Sequence, residues 1–251
     1  MFEPVTILAI AGAFLIGGTV KGVIGLGLPS VSLALLAVTI DLTTAMALIT
    51  VPTFFTNVWQ AMIGGNARMI VVRLWPFLLM AAITVWIGTL ALTRIDLAWL
   101  SALLGLLLVI YSVVNLSGFR FNIPLHHEMW LGVVMGSLNG VLMGMTGSSV
   151  VPGVMYLQAI CLSRDVLVQA MGLLFMVSTL TLSIALLQNA ILTIENGVVS
   201  FGALIPAIIG MSIGRRIRQN LSESLFRKVF FVSLLVLGVY IIATALNSYF
   251  A

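Results

Sequence analysis

Apolar residues fill most of the chain in long blocks, and the polar positions between them mark out the elements. The first block, Val5 to Ile40, holds 36 residues. As one straight helix it would reach about 54 Å at 1.5 Å per residue, against a hydrocarbon core of about 30 Å. The pattern therefore predicts a helix over 5–24, a break at Gly25–Pro29 and a shorter helical piece over 30–40. Asp41-Leu-Thr-Thr reads as an N-cap turn that opens a span over 43–63. That span carries Pro52 among Thr50, Thr53, Thr56, Asn57 and Gln60, and Gly64-Gly65-Asn66 closes it. Spans over 72–92 and 97–117 follow, joined by the tight turn Thr93–Asp96. The longest polar connection, 117–128, comes next.

The pattern then starts again at Met129. A glycine-rich stretch from Gly136 to Pro152 precedes spans over 165–188, 196–214 and 226–248. A shift of 122 residues lays Gly18, Gly22 and Gly25 on Gly140, Gly144 and Gly147. Pro29 and Pro152 fall one residue out of register, and Asp41 and Asp165 open the next helix in each half. The expectation is an all-α polytopic membrane protein of about eight spans. They form two four-span repeats, 5–117 and 129–248, each opening with a Gly/Pro-broken helix, within a single transmembrane domain over 1–251. Paired interruptions in duplicated halves point to the central site of a secondary transporter.

Composition supports this. Of 251 residues, 61% are hydrophobic and 7% charged, where a soluble domain carries about 25% charge. The net charge of +4 does not indicate nucleic-acid binding, since the basic residues are scattered or lie at helix ends as topology requires. The lone Cys161 forms no internal disulfide. The N-terminus lacks a basic region and carries Glu3, so it reads as mature chain and not a cleaved signal. With one crossing per span, Arg94, Arg164, Arg215, Arg216, Arg218, Arg227 and Lys228 fall inside and Arg68, Arg73 and Arg120 outside. Both termini are then outside, and the two halves share one orientation.

The sharpest chemical candidate is Lys21, a cation inside an apolar run. A lysine at the centre of a span costs about 2.5–3.5 kcal/mol on insertion scales. Gly17-Gly-Thr-Val-Lys-Gly-Val-Ile-Gly-Leu-Gly-Leu-Pro29 also breaks the helix there, which lipid tolerates only where protein or a wet cavity satisfies the freed backbone. A charge beside a broken backbone suggests a site for a small anion. The alternative pairs Lys21 with carbonyls at the break. Helix starts near Pro29 and Ser148 offer unpaired N–H groups to an anion, and Thr146, Ser148 and Ser149 add hydroxyls. Close packing through small residues is the competing reading. Asn57 and Gln60 share a helix face, suited to site lining or to interhelical hydrogen bonds. Gln169, Ser178, Thr179 and Thr181 scatter over two faces. His126-His127-Glu128 lacks further metal ligands. The seven acids sit at predicted ends or loops, which argues against an intramembrane hydrolase or a buried carboxylate relay.

At the two glycine-rich stretches the chain resembles the TauE/SafE family of sulfite and organosulfur exporters. In the second, Gly140, Gly144, Thr146, Gly147, Ser149, Pro152, Tyr156 and Leu157 match the family signature. Val150 and Val151 stand where the family often has Gly-Pro. The resemblance covers nearly the full length. It implies a carrier for a small sulfur-containing anion in the bacterial inner membrane, with the exact anion open.

The combined expectation is a non-enzymatic secondary transporter working by alternating access, with the two breaks meeting near the bilayer midplane. Lys21, Thr19, Gly22, Gly25, Gly27, Asn57, Thr146, Gly147, Ser148 and Ser149 are the expected substrate contacts. No cofactor is expected. The partners are a small anionic substrate and the lipid bilayer, and a homodimer is compatible with the sequence. A passive anion channel with the same site and a non-transporting assembly subunit are the alternatives.

Overall fold

The computed structural model describes residues 3–119, 121–220 and 223–250. Among these every regular element is helical: α1 (Pro4–Ile24), α2 (Leu28–Thr39), α3 (Leu42–Met62), α4 (Ala67–Ile83), α5 (Val85–Leu92) and α6 (Leu97–Ser117). α7 (Leu125–Thr146) leads into an irregular turn at Val150–Val154 and α8 (Met155–Ala159). α9 (Arg164–Gln188), α10 (Ile194–Asn220) and α11 (Glu223–Phe250) complete the chain. Eight helical stretches are long and apolar enough to cross a membrane, with α4 and α5 forming one of them. Leu28–Thr39 and Val150–Ala159 are shorter apolar helices. Asp41 caps α3 as its turn chemistry predicts, accepting from the Thr44 N–H at 2.8 Å. Asp165 does not cap α9. It lies in the first turn, behind Ser163.

Each broken segment is a hairpin and not a single crossing, which corrects the expected path. Gly25 at φ 80° and Gly27 at φ 110° adopt the left-handed backbone that glycine enters without a Cβ clash. The chain turns back there, and α2 runs antiparallel along α1. Ser32 Oγ donates to the Ala13 carbonyl at 3.2 Å, and a methyl on Gly17 would lie 3.0 Å from the Leu28 carbonyl oxygen. The second break turns at Gly147, φ 74°. α8 then returns along α7, and the Tyr156 hydroxyl donates to the Glu128 carbonyl at 2.9 Å.

The first reversal inverts the expected direction of α3 to α7, and the second restores it from α9 onward. α1 and α10 run parallel: Gly18 meets Ala207, and Gly22 meets Met211 and Gly214. α7 runs parallel to α4 and α5, with Gly136 against Phe77, Gly140 against Ala81, and Gly144 against Val85 and Gly88. α3 packs on α9, and α6 on α11. The stretches 5–117 and 129–248 therefore run in opposite senses, not the common one expected.

The same reversal regroups the charges. Arg68 and Arg73 ride on α4, which starts earlier than expected, and lie at the same end as Arg164 and Arg215. Arg215, Arg216 and Arg218 belong to helical α10 and not to a loop. Arg227 and Lys228 open α11 beside them. Arg94 moves to the opposite end, among Glu3, Asp41, Asp96 and Glu195. Arg120 lies outside the described residues.

Two features hold this core. The first is the glycine contact between parallel helices. A methyl on Gly144 would fall 2.2 Å from the Val85 carbonyl oxygen, and one on Gly22 would fall 2.3 Å from the Met211 carbonyl oxygen. Such approach lets backbones pack closely where lipid gives no hydrophobic drive between helices. The second is a repair at Pro52. Proline has no N–H to give to the carbonyl four residues back, and Ser200 Oγ on α10 donates to that Leu48 carbonyl at 2.7 Å. Ser200 is fully buried.

Gly144→Ala should lower the melting temperature in detergent, because over-packing costs about 1–3 kcal/mol. Gly12→Ala, where a methyl meets nothing within 4 Å, should leave it unchanged or raise it. Equal melting temperatures for the two variants would contradict the close-packed interface.

Candidate functional site

The helix directions bring one end of α1, α3, α9 and α10 together at the basic end, around a cavity of about 440 Å³. Lys21 lies on its wall near the end of α1, only 4% exposed. Its Nζ donates to Thr56 Oγ1 at 3.2 Å and to Asn57 Oδ1, both on α3. Both partners are neutral, and among the described residues no carboxylate pairs with Lys21. A buried charge held by neutral acceptors alone remains strongly in need of an anion.

The other walls add charge of the same sign. Arg164 enters from the first turn of α9, and Arg215 and Arg218 from the end of α10. Among the described residues Asp165 is the one carboxylate on the wall, beside the four cations Lys21, Arg164, Arg215 and Arg218. The start of α9 also points here, and a helix N-terminus favours negative charge. The mouth is fixed on one side by a reciprocal pair of amides. Gln60 on α3 donates to the Val168 carbonyl of α9, and Gln169 on α9 donates to the Ala61 carbonyl of α3, each at 2.7 Å. Gln169 Oε1 also accepts from the Asn66 N–H at 3.0 Å. These bonds lock the ends of α3 and α9 and hold the cavity open between them.

The expected site residues divide. Lys21, Gly22 and Gly25 line the cavity, and Asn57 reaches it through Lys21. Gly22 is foremost a packing residue against α10. Gly27 is buried against Val20 and Phe230. Thr19 turns away, its hydroxyl donating to the Leu15 carbonyl of its own helix at 2.8 Å. Thr146, Gly147, Ser148 and Ser149 are not part of this site. Gly147 packs against Met46 and Leu33, and Ser149 Oγ donates to Met143 Sδ at 3.0 Å. From Met46 to Gln60 is fourteen residues of one helix, about 21 Å. The two breaks therefore do not meet at the midplane. Each hairpin tip points toward its own end of the molecule.

Sequence reasoning assigned Arg164, Arg215 and Arg218 to topology and missed their place on the cavity wall. Their signal, clustered cations at helix ends, is the same for both roles until the helix directions are known.

Eight helices long and apolar enough to cross a membrane, around a cation-lined cavity open at one end and reaching buried Lys21, define the class: a polytopic membrane transport protein. The family model described as sulfite exporter TauE/SafE matches residues 9–241, and the chain belongs to that family. No curated protein and no solved structure matched the chain.

Asn57→Asp would place a carboxylate on Lys21 Nζ. The variant should melt at or above the wild-type temperature yet lose stabilisation by added sulfite. A ligand at a hundred times its Kd contributes about 2.7 kcal/mol, readily seen in a melting curve. Sulfite stabilising both proteins equally would remove Lys21 from the anion site.

Proposed function

We propose that the protein is a secondary transporter that moves a small sulfur-containing anion, such as sulfite or a small sulfonate, by alternating access. The observation that carries this reading is the cavity that reaches buried Lys21 from the basic end, with four cations on its wall against one carboxylate. Toward the opposite end the core is closed by fully buried side chains, including Phe14 on α1, Met46 and Leu48 on α3, and Leu182 on α9. Access from one end and a packed core toward the other suit a carrier better than an open channel. In this reading Lys21 takes the anion as a compact point charge. Thr56 and Asn57 hold the lysine in place when the site is empty, and Arg164, Arg215 and Arg218 raise the local anion concentration at the mouth.

The basic end is cytoplasmic in this reading, because loop and helix-end cations favour that side. Arg68, Arg73, Arg164, Arg215, Arg216, Arg218, Arg227 and Lys228 support it, with Arg94 against. Both termini then face outward, from the inner membrane of a bacterium. With the basic end cytoplasmic, the cavity opens inward, where a substrate for export would load.

Alternating access has a geometric basis in the pairing of helices. α1 of the first half packs on α10 of the second, and α7 of the second packs on α4–α5 of the first. Gly22 with Gly214, and Gly144 with Gly88, make matching contacts. These reciprocal pairs support an inverted repeat of 5–117 and 129–248. Exchanging the conformations of the two halves would close the basic end and open the other.

Purified protein in liposomes should show saturable exchange of labelled sulfite, accelerated by unlabelled sulfite on the far side. Lys21→Met should reduce it at least tenfold, and Arg94→Gln should leave it unchanged. Non-saturating flux without trans-acceleration would favour a channel. Equal exchange in wild type and Lys21→Met would contradict the site.

A further inference from the structure

On the outer face of α3 and α10, back to back with the anion cavity, lies a groove of about 330 Å³. Phe55 and Trp59 line it from α3, and Leu204, Ile208 and Met211 from α10. Phe55, Trp59 and Ile208 are at least half exposed, so in a bilayer this surface meets lipid. The groove ends at Ser212 and Arg215. Leu204 to Arg215 spans eleven residues of helix, about 16 Å, which matches half of a hydrocarbon core of about 30 Å. The apolar length of the groove is therefore one leaflet deep, with a guanidinium at its interfacial end. Thr56, Trp59, Met211 and Arg215 line both the groove and the cavity. The partition between lipid and Lys21 is thus one side chain thick, and Thr56 is itself a Lys21 partner.

We propose that this groove binds one anionic phospholipid from the leaflet at the basic end, with its phosphate on Arg215 and an acyl chain along Ile208 and Trp59. The length of the groove selects a lipid chain entering from that leaflet. Arg215, with Arg216 and Arg218 following on the same helix end, selects a negative headgroup over a zwitterionic one. Arginine suits this contact because its planar fork matches phosphate oxygens. The bound lipid seals the partition beside Lys21 and shares Arg215 with the cavity, so the lipid headgroup and the transported anion are coupled through one side chain.

The phospholipid titration needs no sulfur anion and so stands apart from the transport reading. Purified, delipidated protein is titrated with phosphatidylglycerol or phosphatidylcholine of equal chain length, and bound lipid is counted by native mass spectrometry. Wild type should retain one phosphatidylglycerol at least fivefold more tightly than phosphatidylcholine. Arg215→Gln should erase the headgroup preference. Ile208→Trp, which fills the groove at an exposed position, should weaken both lipids, and Arg94→Gln at the other end should change neither. Equal retention of the two lipids by wild type would overturn the proposal, as would undiminished phosphatidylglycerol binding in both groove variants. Decyl sulfonate binding that Ile208→Trp abolishes, with no specific phospholipid bound, would also overturn it and give the groove to the tail of a substrate.

Discussion

The position of one cation, Lys21, sets the terms for this structure. A lysine this deeply buried is tolerable only if its surroundings supply acceptors, and by default it marks a candidate functional site. Here α3 supplies two neutral acceptors, Thr56 and Asn57, and the residual need is met by no protein carboxylate among the described residues. Everything nearby serves to hold that arrangement. Gly18 and Gly22 let α1 press against α10, which fixes the height of Lys21. The turn at Gly25 and Gly27 sends the chain back as α2, so that α3 can start at the same end as α1 and bring Asn57 alongside. Gln60 and Gln169 then tie α3 to α9 at the mouth.

The second half lacks this charge. Met143 stands 122 residues after Lys21, and its sulfur accepts from Ser149. Other polar groups do gather there. Asn139 is fully buried, with neither side-chain polar atom bonded among the described residues. At the basic end, Arg73 on α4 of the first half grips the Glu128 carboxylate at the start of α7, its Nε at 2.9 Å from Oε2. Tyr156 of α8 reaches the Glu128 carbonyl, so one residue joins three helices. The two halves thus use similar glycine contacts for packing and different side chains for chemistry.

Much of the fold was legible in the sequence because membrane helices declare themselves by length. Span boundaries, the Asp41 cap and the Gly64–Asn66 turn follow from local rules. The path through the breaks did not, because a glycine–proline interruption marks where a helix ends and not where the chain goes next. Val5–Ile40 is compatible with one long crossing or with a hairpin, and the tertiary contacts Ser32–Ala13 and Gly17–Leu28 decide between them. That one ambiguity placed Arg68 and Arg73 at the wrong end, set the two halves parallel and drew the breaks together. Lys21 and Asn57 were identifiable because a buried charge and an amide are costly in lipid. Arg164, Arg215 and Arg218 were not, because their place on the cavity wall depends on four helix ends converging. Thr19, Thr146 and Ser149 were chosen for carrying hydroxyls near the breaks, and their hydroxyls bond locally instead.

The account stands or falls on whether an oxyanion of sulfur sits against Lys21. Selenite is the heavier analogue of sulfite, and anomalous diffraction locates selenium without ambiguity. Crystals grown with selenite should show one strong peak within hydrogen-bonding reach of Lys21 Nζ, in the cavity bounded by Thr56, Arg164 and Arg215. Peaks confined to surface arginines, with none inside that cavity, would contradict it.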